Sequence, residues 1–180
     1  MIELKDISES VVEIVNKFPT RSENLLHKNS YFRHVYSLLV ESNSFLEIGY
    51  RKGIFVEVCK HLGIKSTHID IADDLLRATA SKNNKCITSP SLSYLKKCRS
   101  KFDLIFQDGS KGYHCRKREY DLIAERSTLR ENGRIIVDDL HYPDCKKAFE
   151  YAIKKYGFGS ETFSVTDNSR YKMGLLKLKS

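Results

Sequence analysis

Three aspartates close two apolar runs. Asp108 follows Phe102-Asp103-Leu104-Ile105-Phe106-Gln107, and Asp138 and Asp139 follow Ile135-Ile136-Val137. If these runs are neighbouring parallel strands, all three carboxylates reach one edge of a sheet. Clustered carboxylates repel and raise one another's pKa unless a cation neutralises them. An all-oxygen set of this kind suits Mg²⁺ or a similar hard divalent ion. Lys111 stands three residues after Asp108, and Tyr113 and His114 follow it, so a candidate proton acceptor lies beside the acids. Ordinary structural roles also exist for these residues. Asp138 and Asp139 can cap the turn after their strand, and Lys111 can be a solvated loop residue or an ion-pair partner.

A second constellation lies upstream. Glu47-Ile48-Gly49-Tyr50-Arg51-Lys52-Gly53 reads as a strand end, a tight turn and a helix start. Its two glycines let the backbone turn sharply and approach a ligand without side-chain obstruction. Asp70 ends the next apolar run, at the distance along the chain expected of an acid that accepts hydrogen bonds from ribose hydroxyls. A dinucleotide turn would be G-x-G-x-x-G, but Arg51 occupies the middle position and Glu47 opens the turn. A carboxylate there repels pyrophosphate and favours a cationic amino-acid ligand, which argues for a sulfonium cofactor over NAD. Taken singly, the glycines also fit a plain turn and Asp70 fits a helix N-cap.

The surrounding pattern must supply the positioning. Apolar spacing predicts helices over residues 7–18 and 23–41, then strand 45–48, helix 53–62, strand 67–70 and helix 72–81. Strand 86–88, helix 94–98, strand 102–106, helix 117–130, strand 135–137 and helix 145–156 continue the alternation. That rhythm implies an α/β, Rossmann-like, doubly wound sheet, mostly parallel, with ligands beyond the carboxyl ends of the strands. Strands 162–165 and 171–178 are joined only by a polar turn around Asn168, so they close the sheet as an antiparallel hairpin. No repeat or Pro/Gly-rich linker interrupts the 180 residues, which read as one domain: N-terminal helices over 1–43 and a cofactor-binding core over 44–180.

In order and spacing, Glu47-Ile48-Gly49-x-x-x-Gly53, Ile69-Asp70, Asp103 through Gly109 and Gly133 through Asp139 resemble the successive motifs of small class I S-adenosylmethionine-dependent methyltransferases. The resemblance implies that Glu47, Gly49, Tyr50, Arg51 and Gly53 surround the methionine moiety. It also implies that Asp70 and Ile71 meet the ribose, that Ser89 to Leu92, Ser91 included, border the adenine, and that Asp108 lies beside the cofactor. The acidic edge is similar to that of the metal-dependent O-methyltransferases of catechol and sugar type. Asp108, Asp138 and Asp139 match the sugar type better, while Lys111 stands where the catechol type has its base and Ser110 departs from the sugar type. The implied chemistry is direct methyl displacement onto a hydroxyl made nucleophilic by metal binding and proton removal, with Asp108 and Lys111 as the catalytic pair.

Composition narrows the partners. The net charge of +8 invites nucleic acid, but the basic residues form short interrupted clusters such as Lys96-Lys97 and Arg116-Lys117-Arg118, which read as solvated helix faces. The five cysteines make no CxxC pair and read as reduced, mostly buried thiols. No apolar run is long enough to span a bilayer and residues 1–17 do not resemble a secretory signal, so the expected location is the cytoplasm. His61 and His68, each within an element, read as structural. The leading expectation is therefore a methyltransferase acting on a small-molecule hydroxyl; the oligomeric state stays open, with a homodimer through the N-terminal segments as one assembly the resemblance implies. A nucleic-acid methyltransferase and a non-catalytic module of the same fold are the alternatives; the segment Gln107-Asp108-Gly109-Ser110 lacks the D-P-P-Y-type pattern of exocyclic-amine enzymes.

Overall fold

The computed structural model describes residues 7–18, 31–51, 53–72, 81–165 and 171–178. Among the described residues, helices α1 (Glu9–Asn16) and α2 (Tyr31–Leu39) precede β1 (Ser44–Ile48), α3 (Ile54–Leu62), β2 (Lys65–Asp70) and β3 (Asn84–Thr88). There follow α4 (Ser91–Lys97), β4 (Phe102–Gln107), α5 (Tyr113–Glu125), β5 (Leu129–Val137), α6 (Pro143–Tyr156), β6 (Gly159–Ser164) and β7 (Lys172–Lys177). The helix expected over 72–81 and the first part of that over 23–41 fall on residues outside those described, as does the turn around Asn168.

The strands form one sheet in the order β3-β2-β1-β4-β5-β7-β6. β1 pairs in parallel with both β2 and β4, and β4 with β5. β7 runs antiparallel to β5 and β6, as the short link between the last two strands requires. Strand order reverses between β1 and β4, which opens a crevice at their carboxyl ends.

Alternation along the strands divides the core. Phe45, Leu104, Phe106 and Ile136 face α1, α2 and α3, where Phe55 stacks on Phe32 at 5.4 Å and meets Phe106 edge-on at 5.7 Å. Leu46, Ile48, Ile105, Ile135 and Val137 face the other way, against Leu95, Tyr120, Leu122, Ala148 and Phe149 of α4, α5 and α6. β1 is therefore buried along its whole length, as a central parallel strand should be.

Helix α5 departs from expectation. It starts at Tyr113 straight after Gly112, not at Lys117, and ends at Glu125; β5 already begins at Leu129. The reason is that α5 buries Arg116, Glu119 and Asp121 on its inner face, so apolar spacing does not report its first turn. Arg116 is fully buried, which corrects the reading of its basic cluster as a wholly solvated face. Similarly, α4 starts at Ser91, immediately after Pro90, rather than at Tyr94.

One glycine holds the crevice shut at its base. Gly49 has φ +90 and donates to Ile69 O at 2.8 Å, while Asp108 donates to Ile48 O at 2.9 Å. A Cβ on Gly49 would lie 2.4 Å from the Asp108 carbonyl oxygen, so the glycine is required by the backbone that follows β4. Gly49→Ala should destabilise the fold by about 3 kcal/mol, combining a left-handed backbone with a backbone clash. Urea unfolding measures this; a midpoint equal to that of the parent would show that the turn relaxes.

Candidate functional site

The acids that end β4 and β5 meet as their strand pairing requires. Asp138 donates its N–H to Gln107 O at 3.1 Å, which locks the two strand ends in register. Oxygens of Asp108, Asp138 and Asp139 all lie within 4.8 Å of one another. Asp139 turns back towards the others because its backbone is left-handed, φ +66, and its N–H is held by Asp138 Oδ1 at 2.7 Å. Lys111 Nζ lies 3.0 Å from Asp139 Oδ2 and 4.4 Å above the Tyr142 ring. His141 Nε2 stands 3.8 Å from Asp139 Oδ1. From below, the buried Arg116 donates Nε–H to Ser110 O at 2.5 Å and Nη1–H to Asp138 O at 2.8 Å, tying together the loops that carry the acids.

The electrostatics follow from this crowding. Burial, then the charges of Asp138, Asp139 and Glu47, push the Asp108 carboxyl up to about 9, with Arg116 opposing the shift. Burial and Asp139 likewise push Asp138 up to about 6. Oxygen ligands alone, mutually repelling and short of positive charge, are the donor set that fits a hard divalent cation. Lys111 does not have the lowered pKa that a base would need. Its burial acts in that direction, but the ion pair with Asp139 outweighs it and leaves the amine above its ordinary value.

Around the glycine turn, Asp70 Oδ2 accepts the Arg51 N–H at 2.9 Å and Asp70 Oδ1 accepts the Ala72 N–H at 3.1 Å. Asp70 thus joins the carboxyl ends of β1 and β2. Arg51 holds a φ of +38 in the position where related turns use glycine, and Gly53, φ +73, caps α3. Glu47 is 3% exposed and its Oε2 lies 2.6 Å from His68 Nδ1. Tyr50 is buried against Val56 and Cys86, whereas Ile71 projects beyond β2 with 77% exposure. Ser89 Oγ donates to Pro90 O, and the hydroxyl of Ser91 is taken by Glu119 Oε1 at 2.5 Å.

Motif reading passed over three participants. Tyr31 stacks on Phe106 at 6.5 Å, and its phenol is pushed upward by burial and then by Asp108, Glu47 and Asp138, so it faces the same acids. Its only signal in the sequence is its place within the amphipathic stretch over residues 23–41. Arg116 was hidden in a basic cluster. Glu119, fully buried, links Ser91 to Gln107 Nε2, 2.5 Å away, and its polar character excluded it from any apolar pattern. All five cysteines are reduced thiols, as expected.

No protein-family model matches the sequence, and no curated protein matches it closely enough to count. Solved structures do. The chain superposes on an SAH-bound methyltransferase of Podospora anserina, PaMTH1, with a TM-score of 0.68 at 16% identity, covering 97% of this chain and 89% of that one. An O-methyltransferase from Bacillus cereus, in complex with SAH, gives 0.67 at 14% identity over 96% and 92% of the two chains. A SAM-dependent methyltransferase from Archaeoglobus fulgidus gives 0.64 at 15% identity over 91% and 97%. The architecture is accordingly the class I methyltransferase fold. No helix among the described residues is long and apolar enough to cross a membrane.

The raised acids give a pH signature with a definite sign. Folded Asp108 keeps its proton from the ordinary value of 3.8 up to about 9, whereas the unfolded chain releases it near the former. Its contribution to stability is therefore full below pH 4 and is lost as pH rises towards 9. In chelator, the melting temperature should fall from pH 6 to 9, and Asp108→Asn should flatten that fall and melt higher at pH 8. Parallel profiles for the two proteins would contradict this assignment.

Proposed function

We propose that the chain is an S-adenosylmethionine-dependent methyltransferase that methylates a hydroxyl oxygen of a small molecule, such as a sugar or phenol, with Mg²⁺ or a similar cation. The observation that carries this reading is the convergence of Asp108, Asp138 and Asp139 within 4.8 Å, on the edge that also bears the Gly49 turn. Two similar structures, those from Podospora anserina and Bacillus cereus, hold SAH, which supports the choice of cofactor.

In this reading Asp70 receives the ribose hydroxyls on lone pairs not used by Arg51 and Ala72. The exposed face of Ile71, with Ser89 and Ser91, borders the adenosine. Gly49, Tyr50, Arg51 and Gly53 shape the cradle for the methionine, and Glu47 supplies the counter-charge to its ammonium. Asp108, Asp138 and Asp139 hold the cation, whose contribution when bound is to lower the pKa of the acceptor hydroxyl. Lys111, beside Asp139, would accept the hydroxyl proton only as the neutral amine, after a cation held at Asp139 has displaced its ion pair and its own proton has passed to solvent. The methyl group then passes from sulfur to the deprotonated oxygen and leaves the neutral thioether. Tyr113, His114 and His141 line the approach for the acceptor.

Calorimetry with S-adenosylhomocysteine should give a dissociation constant on the order of micromolar. Turnover against a panel of catechols and sugar alcohols should fall about 100-fold or more in Asp108→Ala and in EDTA, and Mg²⁺ should restore the parent only. Undiminished turnover in both cases would remove the cation from the mechanism, and failure to bind the cofactor would remove the enzyme.

A further inference from the structure

Behind the glycine turn, a string of buried polar side chains crosses three strands. Glu47 of β1 lies opposite His68 of β2, with His68 Nδ1 2.6 Å from Glu47 Oε2. His68 Nε2 lies 2.6 Å from Ser66 Oγ. Asn84 of β3 donates Nδ2–H to Ser66 Oγ at 2.7 Å and to Ile64 O at 3.0 Å, and its Oδ1 accepts the Ser81 hydroxyl at 2.8 Å. Exposure of Glu47, Ser66, His68 and Asn84 is 3%, 1%, 0% and 2%. Phe45 and Tyr50 set their rings edge-on to His68, at 5.8 and 6.3 Å, which keeps water from the imidazole. Apolar residues of the same shapes would stabilise such a site at least as well, so the string is there for more than packing.

For a neutral imidazole, hydrogen-bond accounting assigns the ring proton to one nitrogen. The Asn84 oxygen is used by Ser81, so its nitrogen faces Ser66 and donates. Ser66 is left with one hydrogen to give. Its other neighbour, the Cys59 thiol, is a much weaker acceptor than an imidazole nitrogen, so that hydrogen goes to His68 Nε2. The ring proton is then on Nδ1 and is donated to Glu47. The carboxylate so held lies near enough to Asp108 and Tyr31 to act on both, which puts it within the field of the site.

We infer that His68 is a positioning residue for the amino-acid end of the cofactor: fixed in its Nδ1–H form by Ser66 and Asn84, it holds Glu47 in the orientation that receives the methionine ammonium. This rests on the cofactor reading above. It assigns to His68 an effect on one part of the ligand only, and that selectivity separates it from a structural role.

The experiment compares S-adenosylhomocysteine with 5′-methylthioadenosine, which has the adenosine and thioether but no amino-acid end. His68→Gln keeps a polar group near the Nε2 position and loses the donor to Glu47, whereas His68→Asn keeps a donor near Nδ1. His68→Gln should weaken S-adenosylhomocysteine about tenfold or more and leave methylthioadenosine within about twofold, and His68→Asn should recover most of the loss. In a Glu47→Gln background, His68→Gln should add nothing further. Equal losses for both ligands, or no loss for either, would overturn the inference. If the parent binds neither ligand, the cofactor reading itself fails and this one falls with it. Should the variants not fold, ¹⁵N NMR of the parent decides: the Nδ1–H form is expected, and an Nε2–H imidazole would refute the assignment.

Discussion

Like charges brought together in a partly dry place set the terms for this molecule. Three carboxylates, two of them half-buried and one buried, share one sheet edge within 4.8 Å, and Glu47 adds a fourth negative charge from β1. Water screens such repulsion poorly once the groups are covered. The protein answers with positive charge from two directions. Arg116 approaches from inside, its guanidinium bonded to the Ser110 and Asp138 carbonyls, and Lys111 closes on Asp139 from outside. These answers are incomplete, since Asp108 is still pushed far above the ordinary carboxylate range. A fold that needed only stability would not leave such a residue uncompensated, and the shortfall of positive charge is the physical content of the site.

Of the four non-glycine residues with positive φ among those described, two lie at the same edge, and the others, Ser127 and Asn132, lie around the start of β5. Arg51 and Asp139 both hold positive φ without being glycine, one in the turn after β1 and the other after β5. Each is anchored by an aspartate side chain: Asp70 takes the Arg51 N–H and Asp138 takes the Asp139 N–H. Unfavourable backbone conformations of this kind persist only where neighbours over-determine them. Here the neighbours are strands whose apolar faces lie in two separate cores, so the cost at the loops is offset by burial along β1, β4 and β5.

Much of this was legible in the sequence, for identifiable reasons. Apolar runs such as Phe102 to Phe106 and Ile135 to Val137 mark buried parallel strands, and the rule that ligands sit beyond strand carboxyl ends then selects Asp70, Asp108, Asp138 and Asp139. The antiparallel hairpin followed from the short connection between its strands. What escaped was polar and buried. Arg116, Glu119 and Asp121 sit on the inner face of α5, so a rule built on apolar periodicity placed the helix start four residues late. Tyr31 escaped because its partners are remote in the chain, and only folding brings α2 against the acids. Gly49 was read as making room for a ligand, yet the backbone of Asp108 and Gly109 already occupies the space where its side chain would be.

The buried polar groups also explain why the edge can be both strained and ordered. They form two strings, one on each side of the sheet. On the face towards α3, Glu47, His68, Ser66 and Asn84 run from the turn across to β3. On the opposite face, Gln107 at the end of β4 binds Glu119 of α5, which in turn takes the hydroxyl of Ser91 at the start of α4. Each string begins within two residues of a residue at the acidic edge or the glycine turn and ends in the scaffold. In a low-dielectric interior such chains hold their members to narrow geometries, because a broken link leaves a buried group unpaired. Apolar packing fixes the distance between layers but tolerates small rotations of side chains. Directional bonds from both faces remove that freedom where the loops leave the sheet, and the in-line transfer proposed for this site would depend on that precision.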